Sequence, residues 1–176
     1  MKLESRKVYL RPYEIEFAPV YYQWFYSGKY EDYFRHCAES YRLADFQRWV
    51  DDRSVKVFNI FDKETNLIVG TCGIYDLNIT NRRCKLAIMI DEEYQGKLYM
   101  QDALIILGKL AVVDCQIHKI QVEVMESNQR LMKHIENAGF KKEYVEIDKY
   151  LVEGKFVNEA VFYLLGDDFK ERYYGV

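Results

Sequence analysis

The apolar positions of this chain change their period repeatedly, and each change predicts an element. Val8 to Arg11 reads as a short strand closed by Pro12. Phe17, Val20, Tyr21, Trp24 and Phe25 then fall on one helical stripe, which Ser27-Gly28 ends. Residues 29–41 are aromatic and polar without a period, and Leu43, Phe46, Trp49 and Val50 predict a second short amphipathic helix. Three strands follow. Residues 55–61 alternate with apolar residues on both faces, as in a strand buried on both sides. A polar turn at 62–66 leads to a second strand at 67–75, and a polar connection at 76–83 leads to a third at 83–90. Consecutive strands joined by short turns predict an antiparallel meander.

Beyond residue 90 the pattern turns polar through Asp91, Glu92 and Glu93, and a loop follows, Tyr94-Gln95-Gly96-Lys97-Leu98-Tyr99. From Met100 the apolar residues are helical again: Met100, Ala103, Leu104, Leu107, Leu110. Strand, tight glycine-containing loop and helix is the geometry that aims free backbone N–H groups at an anion. The helix dipole adds roughly half a positive charge at that end, and Lys97 adds a full one. In isolation an ordinary strand–turn–helix connection gives the same pattern. Ile120, Val122 and Val124 then alternate with Gln121, Glu123 and Met125. A strand reached through a helix should lie parallel to the 83–90 strand, with a right-handed crossover.

Ser127 or Asn128 can cap the next helix, whose apolar face is Leu131, Met132, Ile135 and Ala138, with Gly139 as its C-terminal cap. Residues 143–151 and 156–165 flank Val152-Glu153-Gly154-Lys155 as a hairpin. The tail, 166–176, is polar and aromatic and receives no element. With no linker, repeat or low-complexity segment, residues 1–176 read as a single domain of α/β type.

Composition narrows the partners. With 49% hydrophobic and 30% charged residues the chain can build a core and stay in water. The net charge is −3 and no basic run occurs, so nucleic-acid binding has no electrostatic support. Cys37, Cys72, Cys84 and Cys115 show no C-x-x-C spacing, so no zinc or redox site is expected, and no metal. The start, MKLESRKVYLRP, lacks the apolar core of a signal peptide, and no apolar run approaches the ~18 residues of a membrane span. A cytoplasmic protein away from membranes, monomeric or homodimeric, is the expectation.

Two stretches, IMIDEEYQGKLYMQDALIILGKL from Ile88 and QVEVMESNQRLMKHIENAGF from Gln121, together resemble motifs A and B of the GNAT N-acetyltransferase superfamily. Its loop, Gln/Arg-x-x-Gly-x-Gly/Ala, wraps the pyrophosphate of coenzyme A, and its second motif is a strand, an Asn, a short helix and Gly-Phe. Gln95, Asn128, Gly139 and Phe140 stand at those places. The likeness extends to Tyr9-Leu10-Arg11-Pro12 and the final hairpin, and is greatest to the branch of ribosomal-protein and sugar-amine N-acetyltransferases.

The resemblance implies the acyl-CoA N-acyltransferase fold: an antiparallel meander leading into one parallel strand pair, with helices on both faces. It implies acetyl-CoA as co-substrate and, as acceptor, a primary amine of a small molecule, amino sugar or protein N-terminus. The pyrophosphate would sit on the amides of Gln95, Gly96, Lys97, Leu98, Tyr99 and Met100. The pantetheine arm would lie where the parallel strands splay, along Ile88, Met89 and Ile90. Asn128 would touch pantetheine or an ordered water as well as capping its helix. Four positions depart from the pattern. Leu98 and Met100 replace two loop glycines, which a backbone-amide site tolerates if both are helical. Ile135 stands where many relatives have a Tyr that protonates the thiolate, and Lys85 stands where this branch has a strand Glu.

Acetyl transfer to an amine needs a neutral nucleophile, a donor for the developing oxyanion and a fate for the thiolate. The candidate bases are Glu123 and Glu126, with plain surface charge as the alternative for each and water as an alternative relay. His134 is about 100° round its helix from position 135 and reads as a surface residue. No Cys lies in either motif, so direct attack without an acetyl-enzyme is expected. The competing expectation is a catalytically degenerate module that binds coenzyme A or a protein partner without turnover.

Overall fold

The structure is a computed structural model, and it describes residues 3–26 and 55–176. The predicted helix at 43–50 with Trp49, the aromatic stretch 29–41 and the Ser27-Gly28 stop lie outside the described residues. Strand β1 (Val8–Pro12) is followed by a 3-10 turn and helix α1 (Ala18–Tyr26). Strands β2 (Lys56–Asp62), β3 (Ile68–Asn78) and β4 (Arg83–Ile90) form the expected meander. Helix α2 (Tyr99–Lys109) continues through a π-helical turn, Leu110–Asp114, to β5 (Lys119–Met125). Helix α3 (Gln129–Asn137), the hairpin β6 (Lys141–Val152) and β7 (Lys155–Leu165), and helix α4 (Gly166–Tyr174) complete the order.

The seven described strands form one sheet in the order β1-β2-β3-β4-β5-β7-β6. All pairs are antiparallel except β4 with β5. The crossover through α2 imposes that one parallel pair, because a helical connection returns the chain to the same end of the sheet.

Strand alternation sends side chains into two cores. Phe58, Ile60, Cys72, Ile74, Leu86, Ile120 and Phe162 point to one face and pack with Ala103 and Leu107 of α2 and Phe169 of α4. Met132, Ile135 and Ala138 of α3 rest on the edge of this core. On the opposite face Val57 and Met89 pack with Tyr21 and Trp24 of α1. A central strand with apolar residues of both parities serves both cores, and β2 is buried from Val57 to Asp62 as its sequence predicts.

The tail departs from expectation. Residues 166–174 are a helix, with Asp167 and Asp168 in its first turn and Arg172 in its last, charges that suit the helix dipole. Its Phe169 is fully buried against α2, where Gly108 leaves room for the ring. A Cβ on Gly108 would stand 2.3 Å from Phe169 Cε2. Gly108→Ala therefore gains roughly 1 kcal/mol of helix propensity but overpacks a closed contact, which costs about 1–3 kcal/mol. A lower urea midpoint with an unchanged m-value is the expected result.

Candidate active site

The sheet opens between β4 and β5. Their pairing consists of Arg83 with Lys119, Cys84 with Ile120 and Lys85 with Gln121, and then stops. Beyond that rung β4 stays paired with β3 as far as Gly70 and Ile90, and β5 stays paired with β7 as far as Met125 and Glu159. Each half of the sheet is intact, so the halves part along one line. In a strand pair, backbone groups alternate between the two neighbours. From Leu86 to Ile90 the groups directed away from β3 therefore meet no β5 backbone. This is the splay expected at Ile88, Met89 and Ile90. Met89 and Ile90 are buried and Ile88 is half-buried.

The loop at the mouth of the split is built by capping and by two left-handed residues. Asp91 accepts from the Glu93 amide and starts a 3-10 turn, Glu92–Tyr94. Gln95 is extended, and its side-chain amide donates to the Ile90 carbonyl at 3.4 Å. Gly96 has φ +82°, in the left-handed region, with nothing within 4 Å of an added Cβ. The Lys97 ammonium lies 5.4 Å from the Tyr94 ring centre.

Leu98 corrects the sequence reading: it precedes the helix rather than joining its first turn. It has φ +68° and is the N-cap of α2, which begins at Tyr99, one residue earlier than the apolar spacing suggests. Met100 is helical, as expected. A leucine cannot cap with its side chain, and no side-chain cap bond is made there. The first-turn amides of α2 that point along its axis are those a bound anion would satisfy.

This end of α2 is tied to the first strands of the sheet. The Tyr99 hydroxyl donates to the Asp62 carboxylate, which also accepts from the Glu64 and Thr65 amides at 2.7 and 3.0 Å. Asp102 accepts from the Lys7 amide at 2.6 Å, and the Lys7 ammonium donates to the Lys97 carbonyl at 3.0 Å. The Tyr99 hydrogen bond, ahead of the backbone bonds, holds the Asp62 carboxyl below the ordinary carboxylate range. Burial, with the Asp62 hydrogen bond and charge, pushes Tyr99 up to about 12.

The two candidate bases stand in different surroundings. Glu123 meets the Lys85 ammonium at 2.8 Å, where the paired rungs of β4 and β5 end, and its side chain is 17% exposed. Lys85 has a second partner, Asp76, at 2.9 Å. Asp76 reaches it because β3 has an irregularity between Tyr75 and Asn78, with Asp76 at φ +48°. Burial pulls the Lys85 ammonium down, but Glu123 and Asp76 outweigh it and its pKa ends above the usual lysine value. Glu126 is engaged elsewhere. Lys142 of β6 and Asn158 of β7 hold its two oxygens at 2.9 and 3.1 Å, and the Lys142 hydrogen bond, first, keeps its carboxyl below the ordinary range. Glu126 therefore faces the hairpin, whereas Glu123 stands at the opening of the strand pair.

Asn128 is the N-cap of α3, its Oδ1 accepting from the Leu131 amide at 3.1 Å. Ile135 rests against the main core, and His134 is exposed in the last turn of α3. Sequence reasoning missed Asp62 and Lys7. Asp62 read as part of a polar turn and Lys7 received no reading, and only the sheet topology brings them to the loop. Among the described residues no cluster of His, Cys, Asp and Glu is arranged to hold a metal, and no helix is long and apolar enough to cross a membrane.

A strand pair that parts at a glycine loop and helix N-terminus is the arrangement expected of the acyl-CoA N-acyltransferase fold. Residues 7–141 match the acetyltransferase (GNAT) domain family, and the chain belongs to that family. It is an acetyl-CoA-dependent N-acetyltransferase acting on an amine. It is 22% identical to a probable N-acetyltransferase, YjcK, of Bacillus subtilis, over 94% of this chain and 98% of that one. It is 26% identical to the ribosomal protein uS5 alanine N-acetyltransferase of Escherichia coli, over 76% and 71% of the two chains. Among solved structures it superposes on spermidine N-acetyltransferase from Vibrio cholerae, in complex with CoA and spermine. The TM-score is 0.84 at 18% identity, covering 92% of this chain and 97% of that one.

Two outcomes follow from this geometry. A β-branched side chain at Gly96 has space but not the backbone conformation, at a cost of about 1–2 kcal/mol. Gly96→Val should therefore weaken coenzyme A binding roughly tenfold by calorimetry; equal affinity would show that the left-handed residue is not needed for binding. The Tyr99–Asp62 bond sets an alkaline limit. Tyr99 has a raised pKa in the folded state, so its contribution to stability is complete below about pH 10 and is lost as pH rises towards about 12. Urea midpoints of wild type and Tyr99→Phe should converge over that window.

Proposed function

We propose that acetyl transfer takes place in the split between β4 and β5, by direct attack of a primary amine, with Glu123 as general base. The observation that carries this reading is the position of Glu123, beside the last paired rung and on the Lys85 ammonium at 2.8 Å. An acceptor arrives as an ammonium and must lose a proton before it can attack. Lys85 has two carboxylate partners, so it can cede Glu123 to the incoming ammonium and stay paired with Asp76. Backbone N–H groups of Ile88, Met89 and Ile90 that face the split would polarise the thioester carbonyl and hold the pantetheine arm. The amides of Gln95 to Met100, with Lys97, would take the pyrophosphate, and Asn128 would border the arm from the start of α3.

The described cysteines do not suit an acetyl-enzyme. Burial raises Cys72 well above the usual thiol value and pushes Cys84 up to about 12, and burial followed by the Asp114 charge raises Cys115. None is a ready thiolate near neutral pH. With Ile135 in place of a hydroxyl, the coenzyme thiolate leaves unassisted or takes a proton from water. Its pKa, comparable to the ~8.5 of cysteine, makes that departure tolerable. The relatives named for spermidine and for a ribosomal-protein alanine support a primary amine as acceptor. Residues 1–176 would work as one cytoplasmic domain, monomeric or homodimeric, without nucleic acid.

The test is Glu123→Gln with any amine that wild type acetylates. The expected loss in kcat/KM is on the order of 10²-fold, with coenzyme A affinity retained. A variant as active as wild type would move the base to water. Wild type that binds coenzyme A tightly but turns over no amine in a broad panel would favour the binding-only module.

A further inference from the structure

The loop before α2 holds an unfavourable conformation that its own sequence does not require. Leu98 sits in the left-handed region at φ +68°, half-exposed, with no side-chain cap beneath it. Left alone, a leucine leaves this region, because its Cβ crowds the following carbonyl there. What surrounds Leu98 keeps it in place. On one side Tyr99, 6% exposed, places its hydroxyl on the Asp62 carboxylate. Asp62 in turn is fixed by the Glu64 and Thr65 amides, so it is an anchor rather than a mobile partner. On the other side the Lys7 ammonium holds the Lys97 carbonyl, and the Asp102 amide donates to the Leu98 carbonyl at 3.1 Å. At the start of the loop the Trp24 indole of α1 donates to Asp91 at 2.7 Å. Both ends of the segment 91–99 are therefore pinned to other elements.

We propose that the Tyr99 hydroxyl and Asp62 form a clasp that positions the coenzyme loop, holding Leu98 left-handed and the first amides of α2 in the arrangement an anion requires. The proposal rests on the reading that this loop takes the coenzyme pyrophosphate. Tyr99 contributes its backbone amide to that site, whereas its side chain, turned into the protein, acts as a positioning group. The clasp does in this chain what the missing loop glycine would do: it makes a left-handed residue available without the freedom of a glycine. The two solutions should therefore be interchangeable, and that is a property a purely structural hydrogen bond would not have.

The experiment compares wild type, the double variant Tyr99→Phe with Asp62→Asn, and that double variant carrying Leu98→Gly. Pairing the first two substitutions avoids leaving a buried carboxylate without its donor. Coenzyme A affinity is read by calorimetry, melting temperature alongside it, and KM and kcat with an amine that wild type acetylates. The double variant should bind coenzyme A about tenfold more weakly, with KM for acetyl-CoA rising in step and kcat at saturation within about twofold of wild type. Leu98→Gly in that background should restore about threefold of the lost affinity while leaving the melting temperature low, because glycine adopts the left-handed region without help. Unchanged affinity in the double variant overturns the clasp, as does a loss that Leu98→Gly does not relieve. Wild type that fails to bind coenzyme A overturns the coenzyme reading of the loop, and the clasp's role with it.

Discussion

The structure depends on a strand pairing that stops early. The parallel contact between β4 and β5 ends at Lys85 and Gln121, while the antiparallel contacts on either side continue for the rest of both strands. A backbone edge inside a sheet is normally a liability, because unpaired N–H and C=O groups cost free energy when buried away from water. Here that edge is the proposed site. It can accept an extended, amide-bearing arm as though it were another strand, the recognition mode that gives affinity through main-chain hydrogen bonds. The two cores make the opening tolerable. The main core runs under both halves, from β1–β4 to β5 and β7, against α2 and α4, and α1 packs on the other face of the first half, so neither half needs the missing rungs.

The same logic of borrowed support applies at the mouth of the split. A helix N-terminus attracts an anion only if its amides stay in place before the anion arrives. The chain achieves this with residues distant in sequence. Lys7 and Asp62 reach α2 because β1 and β2 are neighbours in the sheet and α2 packs against their end. In the proposed clasp, strain at one exposed leucine is offset by a buried tyrosine beside it. Such outliers persist only where the surroundings over-determine them.

The sequence makes most of this fold legible and part of the site. The antiparallel meander, the single parallel pair, the final hairpin and a helix cap at Ser127 or Asn128 followed from period and punctuation, since those signals are local. The split was expected only from the family resemblance that the motifs around Gln95-Gly96 and Asn128 carry. The helix at 166–174 was passed over although Asp167, Asp168 and Arg172 are end charges in the right places, because its apolar face is little more than Phe169 and Tyr173. The left-handed Leu98 could not be read at all. Leucine is a residue that avoids φ > 0, and the group proposed to hold it there, Asp62, lies thirty-six positions earlier in the chain. Long-range hydrogen bonds leave no periodic trace.

The carboxylate near the reaction centre makes the same point about function. Position 85 carries a lysine where the related branch has a strand glutamate, and taken alone this removes a carboxylate from β4. In the sheet, however, Lys85 pairs with Gln121, and alternation puts Glu123 on the same face two residues further along, towards the opening. The lysine side chain spans that offset and meets the glutamate. The negative charge has thus moved from β4 to β5 without leaving the neighbourhood, and a positive charge stands where it was. A parallel pair makes such an exchange possible, because residues on the two strands advance together and a carboxylate from either one arrives at the same end of the split. What the exchange alters is the charge that an acceptor first meets. In the proposed mechanism a cationic amine would displace Lys85 from Glu123, and the Asp76 carboxylate would give Lys85 somewhere to go.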